Sequence, residues 1–166
     1  LRYFGSRLYS ALDNVLWYSD VYSPALCSPT RSYVMFDAPI TLLEHCDDGM
    51  YLCAGETFWL AGDIESTTPK VVSPTTAVFG SGCPLPQQKV VVWMSDKGLV
   101  RAGAGGQLEL VQDENVVVAP ATSGASVVLE ADGQRHTISS LFGAHQSGAA
   151  ASSYMDAEVV RKGTTL

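Results

Sequence analysis

Apolar and polar positions alternate along most of this chain in short runs, and a 3.6-residue period is nearly absent. The runs predict strands over residues 7–12, 15–19, 31–36, 40–46, 50–54, 57–61 and 69–73. Further strands are predicted over 89–94, 99–102, 107–111, 115–119, 126–130 and 135–139. Leu16, Trp17, Tyr18, Val34, Met35, Phe36, the run 90–93 and the run 116–118 supply the β-branched and aromatic bulk that pleated surfaces favour. Most gaps between runs have hairpin length, so sequence neighbours are expected to pair antiparallel.

The turns repeat. Leu12-Asp13-Asn14-Val15, Asp47-Asp48-Gly49-Met50, Asp96-Lys97-Gly98-Leu99 and Ala131-Asp132-Gly133-Gln134 each set an Asp-containing tight turn between apolar strands. The closing residues 14, 49, 98 and 133 are spaced by 35, 49 and 35 residues, the size of a propeller blade. The expected fold class is therefore mainly β with little helix, built of antiparallel four-stranded blade-like repeats: a partial or split β-propeller. A single sandwich or barrel with chemically similar turns is the alternative. Residues 1–142 are expected to hold the repeats, in units of roughly 1–39, 40–76, 89–120 and 125–142. The low-charge stretch 73–88, with Pro74, Pro84 and Pro86, is expected to connect two units. Residues 143–166 are expected to form a small-residue arm and a terminal strand over 155–160. Too few units are present to close a common propeller alone, so open edges are expected to meet other chains. The start at Leu1, directly in strand-like sequence, reads as a processed product or a piece of a longer polypeptide.

Composition narrows the function classes. Hydrophobic residues make up 46% and charged residues 16% of 166 residues, which excludes an intrinsically disordered chain. The net charge of −7 makes the chain a poor general nucleic-acid binder, since phosphate neutralisation needs clustered Lys and Arg. The longest apolar run, 90–94, is far short of a membrane span, and no signal peptide is recognisable.

Motifs that carry chemistry are weak. Cys27, Cys46, Cys53 and Cys83 form no C-x-x-C pair and are expected to be buried thiols, with Cys46 and Cys53 placed to face each other on paired strands. Glu44, His45, Cys46, Asp47 and Asp48 gather metal-capable groups, but a strand splits them between two faces. They are expected to be a strand running into an acidic turn. Residues 40–66 hold Glu44, Asp47, Asp48, Glu56, Asp63 and Glu65 without Lys or Arg, which reads as solvated turns or, alternatively, a patch for a basic partner. Ser95-Asp96-Lys97-Gly98 lacks the spacer and aromatic of the sialidase Asp-box and is expected to be a hairpin turn. Gly103-Ala104-Gly105-Gly106 has no helix after it and is expected to be a hairpin, not a phosphate loop. Nothing marks a catalytic nucleophile or acid pair, and no catalytic, cofactor-binding or metal-binding residue is assigned.

Several stretches together resemble structural proteins of tailed-bacteriophage virions, of the propeller-bearing nozzle or tail-hub type. They are Arg7-Leu8-Tyr9 with residues 13–20, Asp48-Gly49-Met50-Tyr51 with 57–62, the stretch 91–100 and the ending 149–158. The resemblance implies a non-enzymatic ring subunit located in the virion, contributing to particle assembly and genome passage. Its implied partners are copies of itself and neighbouring virion proteins, with no cofactor, no membrane and no specific nucleic-acid binding. The rival expectation is a propeller-type carbohydrate-binding domain or carbohydrate-active enzyme, with Trp17, Trp59 or Trp93 stacking on sugars. Trp59 and Trp93 lie in apolar strands that suggest burial.

Overall fold

The computed structural model describes residues 1–85, 89–111, 120–131 and 134–143. The expected strand over 115–119 and the expected arm and strand after Gly143 lie outside the described residues. Among the described residues the protein is mainly β, with 55% strand and 2% helix, in four antiparallel sheets of four, four, four and two strands. Among the described residues no closed barrel is found.

Each sheet is a meander in chain order. The first holds β1 (Arg2–Phe4), β2 (Arg7–Leu12), β3 (Val15–Tyr18) and β4 (Tyr33–Met35). The second holds β5 (Leu42–His45), β6 (Gly49–Ala54), β7 (Glu56–Ala61) and β8 (Lys70–Ser73). The third holds β9 (Cys83–Leu85), β10 (Val90–Ser95), β11 (Gly98–Ala102) and β12 (Leu108–Leu110). The last is the long ribbon β13 (Ser123–Ala131) and β14 (Gln134–Phe142).

Two of these strands escape the alternation pattern. β1 and β9 span three residues each, and β9 carries Pro84 inside the stretch expected to be a connector. Proline is tolerated there because β9 pairs on one side only, with β10. Including them changes the repeat. The first strands of the sheets begin at residues 2, 42, 83 and 123, so the step is 40, 41 and 40 residues. The Asp-containing turns are out of phase with it: they join second and third strands in the first and third sheets, but first and second strands in the second sheet and the ribbon.

The sheets stack face to face, and their first strands form the inner line of the stack. β1 touches β5, β5 touches β9, and β9 touches β13. Two apolar layers separate the first three sheets. Tyr9, Leu16 and Tyr18 of the first sheet meet Met50, Leu52, Ala54 and Leu60 of the second. On the opposite face of the second sheet, Tyr51, Cys53 and Trp59 meet Val91, Trp93, Val100 and Ala102 of the third. Every residue of β6 is consequently buried, as expected of a strand covered on both faces.

Glycine permits the closest approaches in the second layer. A Cβ at Gly49 would lie 2.3 Å from the Trp59 ring. The Gly-rich segment forms a 3-10 turn over Ala104–Gly106 that folds onto the same ring. Gly106 has φ +78°, and a Cβ there would lie 3.0 Å from Trp59 Cγ. The turn is fastened by the Tyr51 hydroxyl, which donates to the carbonyl of Gly103, and by the Gly105 N–H, which donates to the Asp48 carboxylate at 3.0 Å.

Candidate assembly surface

Strand alternation puts half of each terminal sheet's side chains on a face that no other described strand covers. In the first sheet, Tyr3 stands opposite Leu8, Ser10 opposite Trp17, and Leu12 opposite Val15. Trp17 in turn stands opposite Tyr33, and Val15 opposite Met35. This outer face carries three hydroxyls, on Tyr3, Ser10 and Tyr33, and no charged residue. Leu12 is 70% exposed, Met35 63% and Tyr3 55%. Trp17 is half-buried and packs on Tyr33 with ring centroids 5.3 Å apart. The face is thus a contiguous apolar patch on a chain of low charge.

The ribbon presents a second such face. Its register sets Ala125 opposite Ser140, Val127 opposite Ile138, and Leu129 opposite His136. Phe142, opposite Ser123, is 73% exposed, and Val127, Leu129 and Ile138 are each more than half exposed. Where the ribbon joins the stack it is held by backbone: the Gly124 N–H donates to the Phe79 carbonyl at 2.7 Å. Two-stranded ribbons gain little from their own sheet, and this one displays four large apolar side chains among the described residues.

Charge is handled between sheets, and here the acidic stretch 40–66 finds its partners. Buried Glu44 on β5 accepts both Arg2 Nε, at 2.6 Å, and Arg2 Nη2 from β1. Asp47 pairs with Lys89 at 2.7 Å. Asp63 and Glu65 both pair with Arg7, whose side chain is 3% exposed and whose Nη1 donates to the Ser19 carbonyl. Burial alone would lower the Arg7 pKa, but the two carboxylates outweigh it and raise it. Five of the six acids therefore reach across to a neighbouring sheet, Asp48 through the Gly105 N–H, while Asp47, Asp63 and Glu65 keep more than a third of their side chains exposed.

The remaining sequence candidates separate. His45 is exposed and lies 6.3 Å from the Phe4 ring. It lines a cleft of about 330 Å³ with Asp47, Pro84, Leu85 and Lys89. Cys46 is buried at the cleft wall, and its thiol donates to the Lys89 carbonyl. Burial raises the Cys46 pKa, the opposite of what a nucleophile needs. Among the described residues no three His, Cys, Asp or Glu side chains gather as a metal set. All four cysteines are thiols; Cys46 and Cys53 are buried, whereas Cys27 is exposed and Cys83 half-buried, against the expectation of burial. The register sets Cys53 opposite Leu42 and not opposite Cys46, because the turn at 46–48 displaces Cys46 beyond the ladder. Ser95 acts within its turn as expected of a hairpin: its hydroxyl accepts the Lys97 N–H at 3.1 Å and donates to the Gly98 carbonyl at 2.9 Å. Trp59 and Trp93 are buried in the layer between the second and third sheets, which leaves only Trp17 of the three tryptophans on an open face. Among the described residues no helix is long and apolar enough to cross a membrane.

No protein-family model matches the chain, and no curated protein matches it.

Proposed function

We propose that this chain is a non-enzymatic structural subunit that works by assembly, in a bacteriophage tail of the nozzle or hub kind. The observation that carries the assembly reading is the uncharged, exposed apolar outer face of the first sheet. Such a face is unfavourable in water and favourable in a contact, because apolar burial is worth roughly 25 cal/mol per Å². The placement in a virion rests on the sequence resemblance alone. Its test is immunogold electron microscopy of the virions that encode the chain. Label on the tail is the expected result, and unlabelled virions from a lysate that contains the protein would refute the placement.

A second reading is supported by one observation. Trp17 and Tyr33 form an aromatic pair on an open face, which is the arrangement of a sugar platform. Titration of oligosaccharides against Trp17 fluorescence separates the readings: saturable quenching lost in Trp17→Ala favours carbohydrate binding, and no response favours assembly.

A further inference from the structure

We infer that the outer face of the first sheet is the seat for the β13–β14 ribbon of a second copy of this chain, so that copies join head to tail. The inference rests on the assembly reading and names its partner and its geometry.

Four observations favour this occupant. First, it continues interfaces already present. The inner strands follow one another in the series β1, β5, β9, β13, and a second copy's β1 beside β13 would extend that series by one more step. Second, both surfaces present exposed apolar side chains, Leu12 and Met35 beside half-buried Trp17 on one, and Val127, Leu129, Ile138 and Phe142 among Ser123, Ser140 and His136 on the other. Third, neither face bears an Asp, Glu, Lys or Arg, so a chain of net charge −7 meets its copy where its charge is absent. Fourth, the ribbon has two strands among the described residues where each of the other sheets has four, so it gains least from its own sheet.

The contact is heterologous, joining two different surfaces, and such contacts close into rings or continue into filaments. Its size sets its strength. Four strands about 4.8 Å apart and about five residues long give a face on the order of 300 Å² in plan. A stable isolated pair buries about 800 Å² per partner. A single contact is therefore weak, and an assembly in which each copy makes two contacts is favoured over the pair.

The test uses the full chain and sedimentation velocity over micromolar to submillimolar concentration. The wild type is expected to form species larger than a dimer. Leu12→Arg and Ile138→Arg, both at exposed positions, are each expected to stay monomeric while melting as the wild type does. Mixed in equal amounts, they retain one intact face of each kind and are expected to form a two-chain species and nothing larger. If Leu12→Arg unfolds, Met35→Arg takes its place on the same face. Dimers of Ile138→Arg alone would mean that the first sheet pairs with itself, and would overturn the inference. A wild type that stays monomeric throughout would also overturn it, giving the face to a different chain. Virion labelling is independent of all these outcomes, so a tail-located chain that fails the mixing test loses this inference and keeps its placement.

Discussion

The first and second sheets have the same kind of sequence in different positions. In the second, β6 runs Gly49-Met50-Tyr51-Leu52-Cys53-Ala54, and alternate side chains enter two separate apolar layers. In the first, β3 runs Val15-Leu16-Trp17-Tyr18, equally apolar on both sides, yet only Leu16 and Tyr18 are buried. A strand that is apolar on both faces belongs to an inner layer. The first sheet has the composition of an inner layer and the position of an outer one. That mismatch is the main physical reason to read the chain as part of an assembly.

The largest effect should come from breaking an internal layer. Trp93→Ala empties the space between the second and third sheets and should cost about 3–5 kcal/mol in urea unfolding. Gly49→Ala attacks the same layer by overfilling it, driving a methyl group into Trp59, and should cost about 2–3 kcal/mol. Cross-sheet charge comes next. Arg2→Met leaves Glu44 buried beneath the inner strands without its cation and should cost about 1–2 kcal/mol, reduced from the fully buried case because Arg2 is partly exposed.

The internal layers also set an alkaline limit. Burial raises the Tyr9 phenol in the first layer from 10.0 to about 12, and the Cys53 thiol in the second from 9.0 to about 11. Both groups lose their protons more readily in the unfolded chain, which then binds fewer protons than the folded one. Stability is therefore complete below pH 9 and falls as pH rises towards 12. Urea midpoints measured across that range should decline, and a flat profile would contradict the burial of both groups. The smallest effects belong to open surfaces. Glu109→Gln removes an exposed pair with Arg101 and should change stability by less than about 0.5 kcal/mol. Trp17→Ala, in dilute protein, should cost less than about 1 kcal/mol, well below Trp93→Ala.

Much of this fold is legible in the sequence, and the losses have physical causes. Long alternating runs such as 49–54 and 90–95 announce themselves, because side chains on paired strands must sort between two faces. β1 and β9 do not, since neither short run lies within a longer apolar stretch as β4 and β12 do, and Pro84 argues against a strand. Missing them hid the regular step of about 40 residues behind turns that occur at two different places in the sheets. The acidic stretch looked solvated because its cations lie far along the chain: Arg2 is 42 residues from Glu44, and Arg7 is 58 residues from Glu65. The outer face was visible as unbroken apolar bulk at 15–18, but sequence alone does not say which side of a strand will be left uncovered.

Tryptophan accessibility tests the contrast between the sheets most directly. In variants retaining a single tryptophan, acrylamide quenching is measured for Trp17 and for Trp93 as protein concentration is raised. Trp93 should resist the quencher at every concentration. Trp17 should be readily quenched in dilute protein and become shielded as the chain associates. Equal access to both rings, or a Trp17 signal that stays open while the protein assembles, would contradict that contrast.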